Sequence, residues 1–313
     1  KHKMKILGIG NAIVDVICEV SENFLIKNKL TKSTMKLVDE DEFKKLLKDL
    51  KIEKTISGGS VANSIVGLAQ LGNEVGFIGK VNDDDLGKEY LEGLSKEKVK
   101  FHYSLKTEKT PTGTCLILIT PDSERTMCTF LGIAGKINES DIDENIVKNS
   151  EVSFLEGYLW DKGDPQKAFN KVIESSKQTA MSLSDLFCVE RHKESFLNLV
   201  KNKLSIVFAN EQEIKSLINA KNLDDIINFA KQTKKLIVVT RGEKGAIAIQ
   251  YDNVEKCEAN KNLKIKDLTG AGDLFAAGFL HGYINNLSLK ESLVKGTDLS
   301  SKIIQQVGAR IEI

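Results

Sequence analysis

The stretch that decides the fold runs from Val152 to Val239. Within it VSFL (Val152–Leu155), MSL (Met181–Leu183), IVF (Ile206–Phe208) and LIVV (Leu236–Val239) are compact apolar runs. Runs this short and rich in β-branched residues read as buried strands. The segments between them, Pro165–Lys177, His192–Val200, Glu211–Leu217 and Asp224–Thr233, read as helices. Regular alternation of strand and helix predicts a doubly wound α/β fold, a mostly parallel sheet with helices on both faces.

The rhythm extends toward the amino terminus. Met4–Ile9 reads as a buried strand, Val61–Leu71 as a helix stopped by Gly72, Val75–Ile78 as a strand and Leu86–Leu94 as a helix. Two regions break it. Val14–Leu37 alternates at Val14, Val16 and Cys18 and resumes at Thr34–Val38. Phe101–Thr129 gives short runs at Tyr103–Leu105, Thr114–Ile119 and Thr126–Phe130, parted by turn residues such as Pro111-Thr112-Gly113 and Pro121-Asp122. Both are expected to form β-hairpins without intervening helices and to pair with each other into a small sheet. The expected organisation is one α/β domain over residues 4–313, with a β-sheet lid built from two insertions at about 12–38 and 101–130. Lys1-His2-Lys3, ahead of Met4, reads as a start-site remnant and is left out of the fold.

Composition narrows the function. The 313 residues carry 45 basic and 44 acidic side chains, a net charge of +1, which argues against a nucleic-acid or polybasic membrane surface. The cysteines Cys18, Cys115, Cys128, Cys188 and Cys257 are scattered, with no C-x-x-C pair, and the histidines lie far apart. Neither a disulfide framework nor a zinc site is expected, and a reducing cytoplasm is the natural setting. No run of 18 apolar residues and no signal peptide is present, so no membrane partner is expected. All but four of the 45 basic residues are lysine, so Arg125, Arg191, Arg241 and Arg310 mark places where a planar, bidentate donor is worth seeking.

Leu268-Thr269-Gly270-Ala271-Gly272-Asp273 leads into Leu274–Tyr283, whose apolar side chains suit a buried helix. Small residues opening a helix expose unpaired N–H groups and the positive end of its dipole, a setting for phosphate. Asp273 at that mouth would repel a phosphate. It makes sense as the acceptor of a proton from an attacking hydroxyl beside the anion site, the alternative being a carboxylate that only complements the helix end. No G-x-x-x-x-G-K-[ST] loop occurs. Gly8-Ile9-Gly10-Asn11-Ala12-Ile13 lacks the third glycine and the following helix of a dinucleotide fingerprint, which disfavours an oxidoreductase.

Gly58-Gly59-Ser60-Val61-Ala62-Asn63, Asn210-Glu211-Gln212-Glu213 and Thr269–Asp273, in that order and spacing, resemble the ribokinase-like (pfkB) carbohydrate and nucleoside kinases over nearly the whole chain. The resemblance implies the same doubly wound domain with a β-sheet lid, and a small-molecule acceptor with ATP and Mg²⁺. It implies Asp273 as base and the amides of Gly270, Ala271 and Gly272 as anion hole. Asn210 and Glu213 match an N-x-x-E element whose glutamate organises Mg²⁺ through water; read from the residues alone, they equally form a helix capping box. Thr240-Arg241-Gly242-Glu243-Lys244-Gly245 resembles the T-x-G-x-x-G nucleotide loop, against the plainer reading of a turn. Thr240, Gly242 and Gly245, with Asn210 and Gly308, are the implied ATP contacts. Asp267 and Thr269 resemble the positions of a monovalent-cation (K⁺) site.

For the acceptor, Asn11 and Asp15 lie where the first strand ends and the lid begins. There Asp15 can accept hydrogen bonds from two vicinal hydroxyls, with Gly58, Gly59 and Asn63 completing a polar cradle. The plain alternatives are a turn residue and an exposed charge. Gly58-Gly59-Ser60 followed by Asn63 is similar to the G-G-S-x-x-N of adenosine kinases, and Pro111-Thr112-Gly113-Thr114-Cys115 to their lid segment, placing Ser60 and Cys115 at the acceptor. Arg125 falls where members carry a lid arginine that reaches the transferring phosphate. The aromatic pair around a purine is not identified: Phe130, Tyr158, Trp160 and Phe187 are candidates, each more often a core residue. The leading expectation is an adenosine 5′-kinase. A ribose, fructose or ketodeoxygluconate kinase is the alternative, and a non-catalytic nucleoside sensor a third. Both a monomer and a homodimer are compatible with the open lid edges.

Overall fold

The computed structural model describes residues 4–160 and 163–312; Lys1-His2-Lys3 and Ile313 lie outside the described residues. In chain order the strands are β1 (Met4–Ile9), β2 (Ile13–Glu19), β3 (Met35–Leu37), β4 (Lys54–Gly58), β5 (Val75–Ile78), β6 (Lys100–Phe101) and β7 (Gly113–Ile119). They continue with β8 (Arg125–Phe130), β9 (Ser150–Glu156), β10 (Thr179–Ser182), β11 (Ile206–Asn210), β12 (Leu236–Thr240), β13 (Ala246–Gln250) and β14 (Asn253–Cys257).

The described residues form two sheets. The large one has the order β14-β13-β12-β11-β10-β9-β1-β5-β6. It is parallel from β6 to β12 and antiparallel only where β13 and β14 close it by short turns. Its strands read as continuous apolar runs because both faces are covered. One face (Ile6, Phe77, Phe154, Phe208, Val238) packs in one apolar cluster, and the other (Leu7, Ile78, Leu155, Val207, Val239) in a second. The chain is thus α/β, a large mixed sheet with helices on both faces, as expected from 152–239.

From β1 the chain adds β5 and β6 on one side, then returns to place β9 on the other. This reversal of strand order opens a crevice at the carboxyl ends of β1 and β9, the usual place for a ligand in such sheets. Helix Ala271–Ile284 lies beside it, apolar nearly all round because it is buried. Phe279 packs edge-on against Phe208 at 5.7 Å, and Phe208 lies 5.6 Å from Phe154, which fixes this helix to the middle of the sheet.

The smaller sheet has the order β3-β8-β7-β2-β4. The two irregular regions do pair, β2 with β7 and β3 with β8, both parallel. Among the described residues of these two regions, β7–β8 is the one hairpin. The expectation of a helix-free hairpin over Val14–Leu37 fails, because Ser21 accepts from the Phe24 N–H at 3.1 Å and starts the helix Glu22–Lys27, which buries Leu25. Strand β3 is thereby separated from β2 by two strands, β8 and β7. Tyr103–Leu105 is not a strand; the Tyr103 ring packs on Phe101 at 6.1 Å, so its alternation reflects side-chain burial without a backbone partner. Strand β4, which lies in neither of the expected insertions, pairs antiparallel with β2 and delivers Gly58 and Gly59 to the crevice.

Candidate active site

Asp273 sits in the first turn of helix Ala271–Ile284, half-buried, and its carboxylate is held from helix Ser60–Gln70. The Ser60 hydroxyl donates to Oδ1 at 2.6 Å, the Asn63 amide donates to Oδ2 at 3.1 Å, and the Ser64 hydroxyl donates to the Asp273 carbonyl at 2.7 Å. Burial pushes the Asp273 carboxyl above its ordinary range, while the bonds from Ser60 and Asn63 and the charge of Arg310 pull it back. A carboxylate held on both oxygens is oriented to take a proton.

Gly270 caps the helix without a side chain, at φ +81° in the left-handed region. A Cβ there would lie 2.8 Å from that of Ala309, so glycine is required twice over. The Ala271 N–H turns back to the Leu268 carbonyl at 3.2 Å. Among the described residues the amides of Gly270 and Gly272 make no hydrogen bond to protein, so of the three expected anion-hole amides these two remain available.

Asn210, Glu213, Thr240 and Gly242 line a cleft of roughly 400 Å³ together with Gly270–Asp273. Register explains part of this, since Asn210 on β11 lies opposite Thr240 on β12. Asn210 and Glu213 do form a capping box, Asn210 N–H to Glu213 Oε1 at 2.9 Å and Glu213 N–H to Asn210 Oδ1 at 2.8 Å. The cap uses one carboxylate oxygen. The site residues fit magnesium in this limited sense: one buried carboxylate in the cleft suits a cation that keeps most of its waters and takes its remaining ligands from phosphates. Gly245 and Gly308 are not on the cleft wall. The Gly245 carbonyl accepts from the Arg241 N–H at 2.7 Å to close the turn, and the Gly308 N–H donates to Asp267 at 2.9 Å. Arg241 also donates to Glu211 at 2.7 Å, tying the nucleotide-type loop to the helix that carries Glu213.

Asp267 accepts from the Thr269 N–H at 3.0 Å and from Gly308, and the Arg125 guanidinium lies 3.4 Å from it. These donors and that positive charge hold its carboxyl below the usual range against the opposing effect of burial. A K⁺ ion at Asp267 and Thr269 does not fit this arrangement, because the arginine already supplies the cation. Arg125 stands at the start of β8, so the same pair bridges the small sheet to the turn before Asp273.

The acceptor residues meet where the two sheets join. Asp15 on β2 lies opposite Ile56 of β4 on one side and Cys115 of β7 on the other. Burial pushes its carboxyl up to about 7, against the charges of Arg310 and Arg125, and pushes the Cys115 thiol up to about 12. Gly58 ends β4, its carbonyl accepting from the Tyr90 hydroxyl at 2.9 Å. Gly59 has φ +106°, and a Cβ would stand 2.3 Å from the Asn11 carbonyl oxygen, so only glycine lets helix Ser60–Gln70 begin against the end of β1. Of the aromatic candidates, Phe130 stacks on Phe43 at 5.0 Å and Trp160 packs edge-on against Phe169 at 5.0 Å, both in the core. Tyr158 and Phe187 are exposed.

The sequence assigns no role to two residues that the structure brings to this site. Glu156, 1% exposed at the end of β9, accepts from the Asn11 N–H at 3.1 Å and the Val61 N–H at 3.0 Å. It caps helix Ser60–Gln70 from outside, where Gly59 has no side chain to do so. The signal was a lone carboxylate closing the apolar run VSFLE. Arg310 is the second; its scarcity as an arginine marked it, but its spacing from every motif assigned it nothing.

The pfkB family carbohydrate kinase profile matches residues 32–313. An adenosine kinase from Sinorhizobium meliloti is 34% identical, with a TM-score of 0.88 over 100% of this chain and 97% of that one. A probable sugar kinase from Rhizobium etli CFN 42 is 33% identical, with a TM-score of 0.88 over 100% and 96%. A 5-dehydro-2-deoxygluconokinase from Mesomycoplasma hyopneumoniae (strain 232) is 27% identical over 83% of this chain and 81% of its own. Among the described residues no helix is long and apolar enough to cross a membrane.

Proposed function

Because the chain belongs to the pfkB family of carbohydrate kinases, we propose that it transfers the γ-phosphoryl group of ATP to the 5′-hydroxyl of adenosine, with Asp273 as the base. It is a phosphotransferase with an alcohol acceptor, acting on a small sugar or nucleoside; the choice of adenosine is the finer part of the reading. The observation that carries it is the grip of Ser60 and Asn63 on Asp273, which joins the G-G-S-x-x-N element to the base in one hydrogen-bonded unit. The Sinorhizobium adenosine kinase is similar over the full chain, which supports the same choice.

Asp273 would take the proton as the 5′-oxygen attacks, and the Gly270 and Gly272 amides would receive the charge on the transferring group. Magnesium held by water near Glu213 would screen the phosphates. Asp15 would accept from the ribose hydroxyls beside Cys115, and closing the small sheet over the acceptor would exclude water. A sugar acceptor remains the second reading, favoured by the burial of Phe130 and Trp160, which removes two of the four candidates for stacking on a base.

A coupled assay of ADP release with ATP, Mg²⁺ and each of adenosine, inosine, ribose, fructose and ketodeoxygluconate separates the readings. Adenosine is expected to give the highest kcat/KM; turnover of a free sugar with none of adenosine would overturn the choice. Asp15 must also be ionised to accept two hydroxyls, and its carboxyl stands at about 7. Above that value the carboxylate dominates and below it the neutral acid does. The kcat/KM for the acceptor is therefore expected to fall as pH drops through about 7. A profile flat from about pH 5.5 to 8 would remove Asp15 from acceptor binding.

A further inference from the structure

Arg310 is half-buried, yet no step above uses it. It enters from the segment after helix Leu289–Ile304. That segment is tied down by the Gly308 N–H to Asp267, by Gln306 Nε2 to the Arg310 carbonyl at 2.6 Å, and by Gln70 Nε2 to the Ile311 carbonyl at 3.1 Å. The guanidinium donates from Nε to Asn63 Oδ1 at 2.8 Å and from Nη2 to the Ser57 carbonyl. Asn63 then donates from Nδ2 to Asp273.

We propose that Arg310 is the positioning residue of the base, locking the Asn63 amide so that its NH₂ faces Asp273. This rests on the reading of Asp273 as the base. An asparagine amide is symmetric in shape and can turn over, presenting either oxygen or nitrogen to a neighbour. Asp273 accepts and does not donate when ionised, and arginine donates and never accepts. Between them only one orientation of Asn63 satisfies both. Without the guanidinium, Asn63 is free to turn its oxygen toward the carboxylate, and the base loses a bond and its aim.

The charge contributes separately. Arg310 faces Asp15 on β2, Tyr90 and Glu97 on and just after helix Asp85–Lys96, and Asp273. Asp273 in turn faces Ser60, Asn63 and Arg310, with Glu156 of β9 near enough to interact. Arg310 is thus a positive charge among partly buried acids, favouring ionised Asp273 and Asp15.

Two substitutions test the two roles. Arg310→Gln removes the charge and replaces a donor-only group with an amide that can itself turn over; Arg310→Lys keeps the charge and a group that donates and never accepts, without the planar fork. Arg310→Gln is expected to lower kcat by about 10²-fold, the scale of a misplaced catalytic group, with acceptor KM changed less, and to move the acid limb of its pH profile to higher pH. Arg310→Lys is expected to leave that limb in place and to keep most of the wild-type kcat. In Arg310→Ala, added guanidinium chloride is expected to raise kcat. Glutamine and alanine variants that match the wild type in kcat and pH profile would overturn the proposal. So would equal losses in all three with an unmoved limb and no guanidinium rescue, or loss of the folded protein in all three, either of which would make Arg310 structural. Asp273→Asn, run alongside, keeps the two claims apart. If that variant retains turnover the base assignment has failed, whereas if only the Arg310 variants are silent the base stands and this inference falls.

Discussion

Asp273→Asn is expected to lower kcat by about 10²–10⁴-fold while nucleotide affinity stays within about twofold of wild type. The substitution is nearly isosteric, and the site can absorb it. The new amide oxygen accepts from Asn63, and the Ser60 hydroxyl, which donates to Asp273 at 2.6 Å, rotates to accept from the new NH₂. The helix opening, with its free Gly270 and Gly272 amides, is unchanged. What disappears is the capacity to take a proton. Single-turnover rates with calorimetric nucleotide binding check this; a variant that turns over at the wild-type rate would sink the base assignment.

Glu156→Leu is expected to destabilise the fold by about 2–6 kcal/mol, from two buried N–H groups losing their acceptor at about 1–3 kcal/mol each. Those groups belong to Asn11 and Val61, so the damage falls where the end of β1 meets the start of helix Ser60–Gln70. Against a total stability of about 5–15 kcal/mol this is a large share. Glu156→Gln, which keeps one accepting oxygen, is expected to lose about half as much.

A pH signature accompanies the stability effect. Burial raises the Glu156 carboxyl from 4.5 to about 7, so between those values the native protein holds a proton that the unfolded chain has released. Its contribution to stability is therefore full below about 4.5 and is lost as pH rises to about 7. Denaturant midpoints measured at pH 5 and at pH 7.5 should differ less in Glu156→Leu than in wild type. A leucine variant as stable as wild type would show that Glu156 holds neither backbone.

The sequence carried the fold where each element declares itself. The apolar runs of β9 to β12 are buried on both faces, so they need no partner to be recognised. Val14–Leu37 departs from the expected hairpin because the alternation of β2 resembles a hairpin strand, while Ser21, the cap that starts a helix, is a single weak signal. The motifs around Asp273, Asn63 and Asn210 are each contiguous in the chain; Asn63 reaches Asp273, and Asn210 lines the same cleft as Asp273. Glu156 and Arg310 lie 95 and 247 residues from the partners they hold, Val61 and Asn63. Contacts of that kind depend on strand order, which no local pattern encodes. The Arg125–Asp267 pair shows the same limit in reverse, since both residues were marked but for different tasks.

The central claim is that the grip of Ser60 and Asn63 on Asp273 serves attack by a nucleoside 5′-hydroxyl. The most direct measurement is product analysis by ³¹P NMR and mass, after incubation with ATP, Mg²⁺ and either adenosine or 5′-deoxyadenosine. The account predicts ADP and 5′-AMP in equal amounts from adenosine, and no transfer to the deoxy compound. ADP release without 5′-AMP, or phosphorylation of free sugars in place of adenosine, would contradict it.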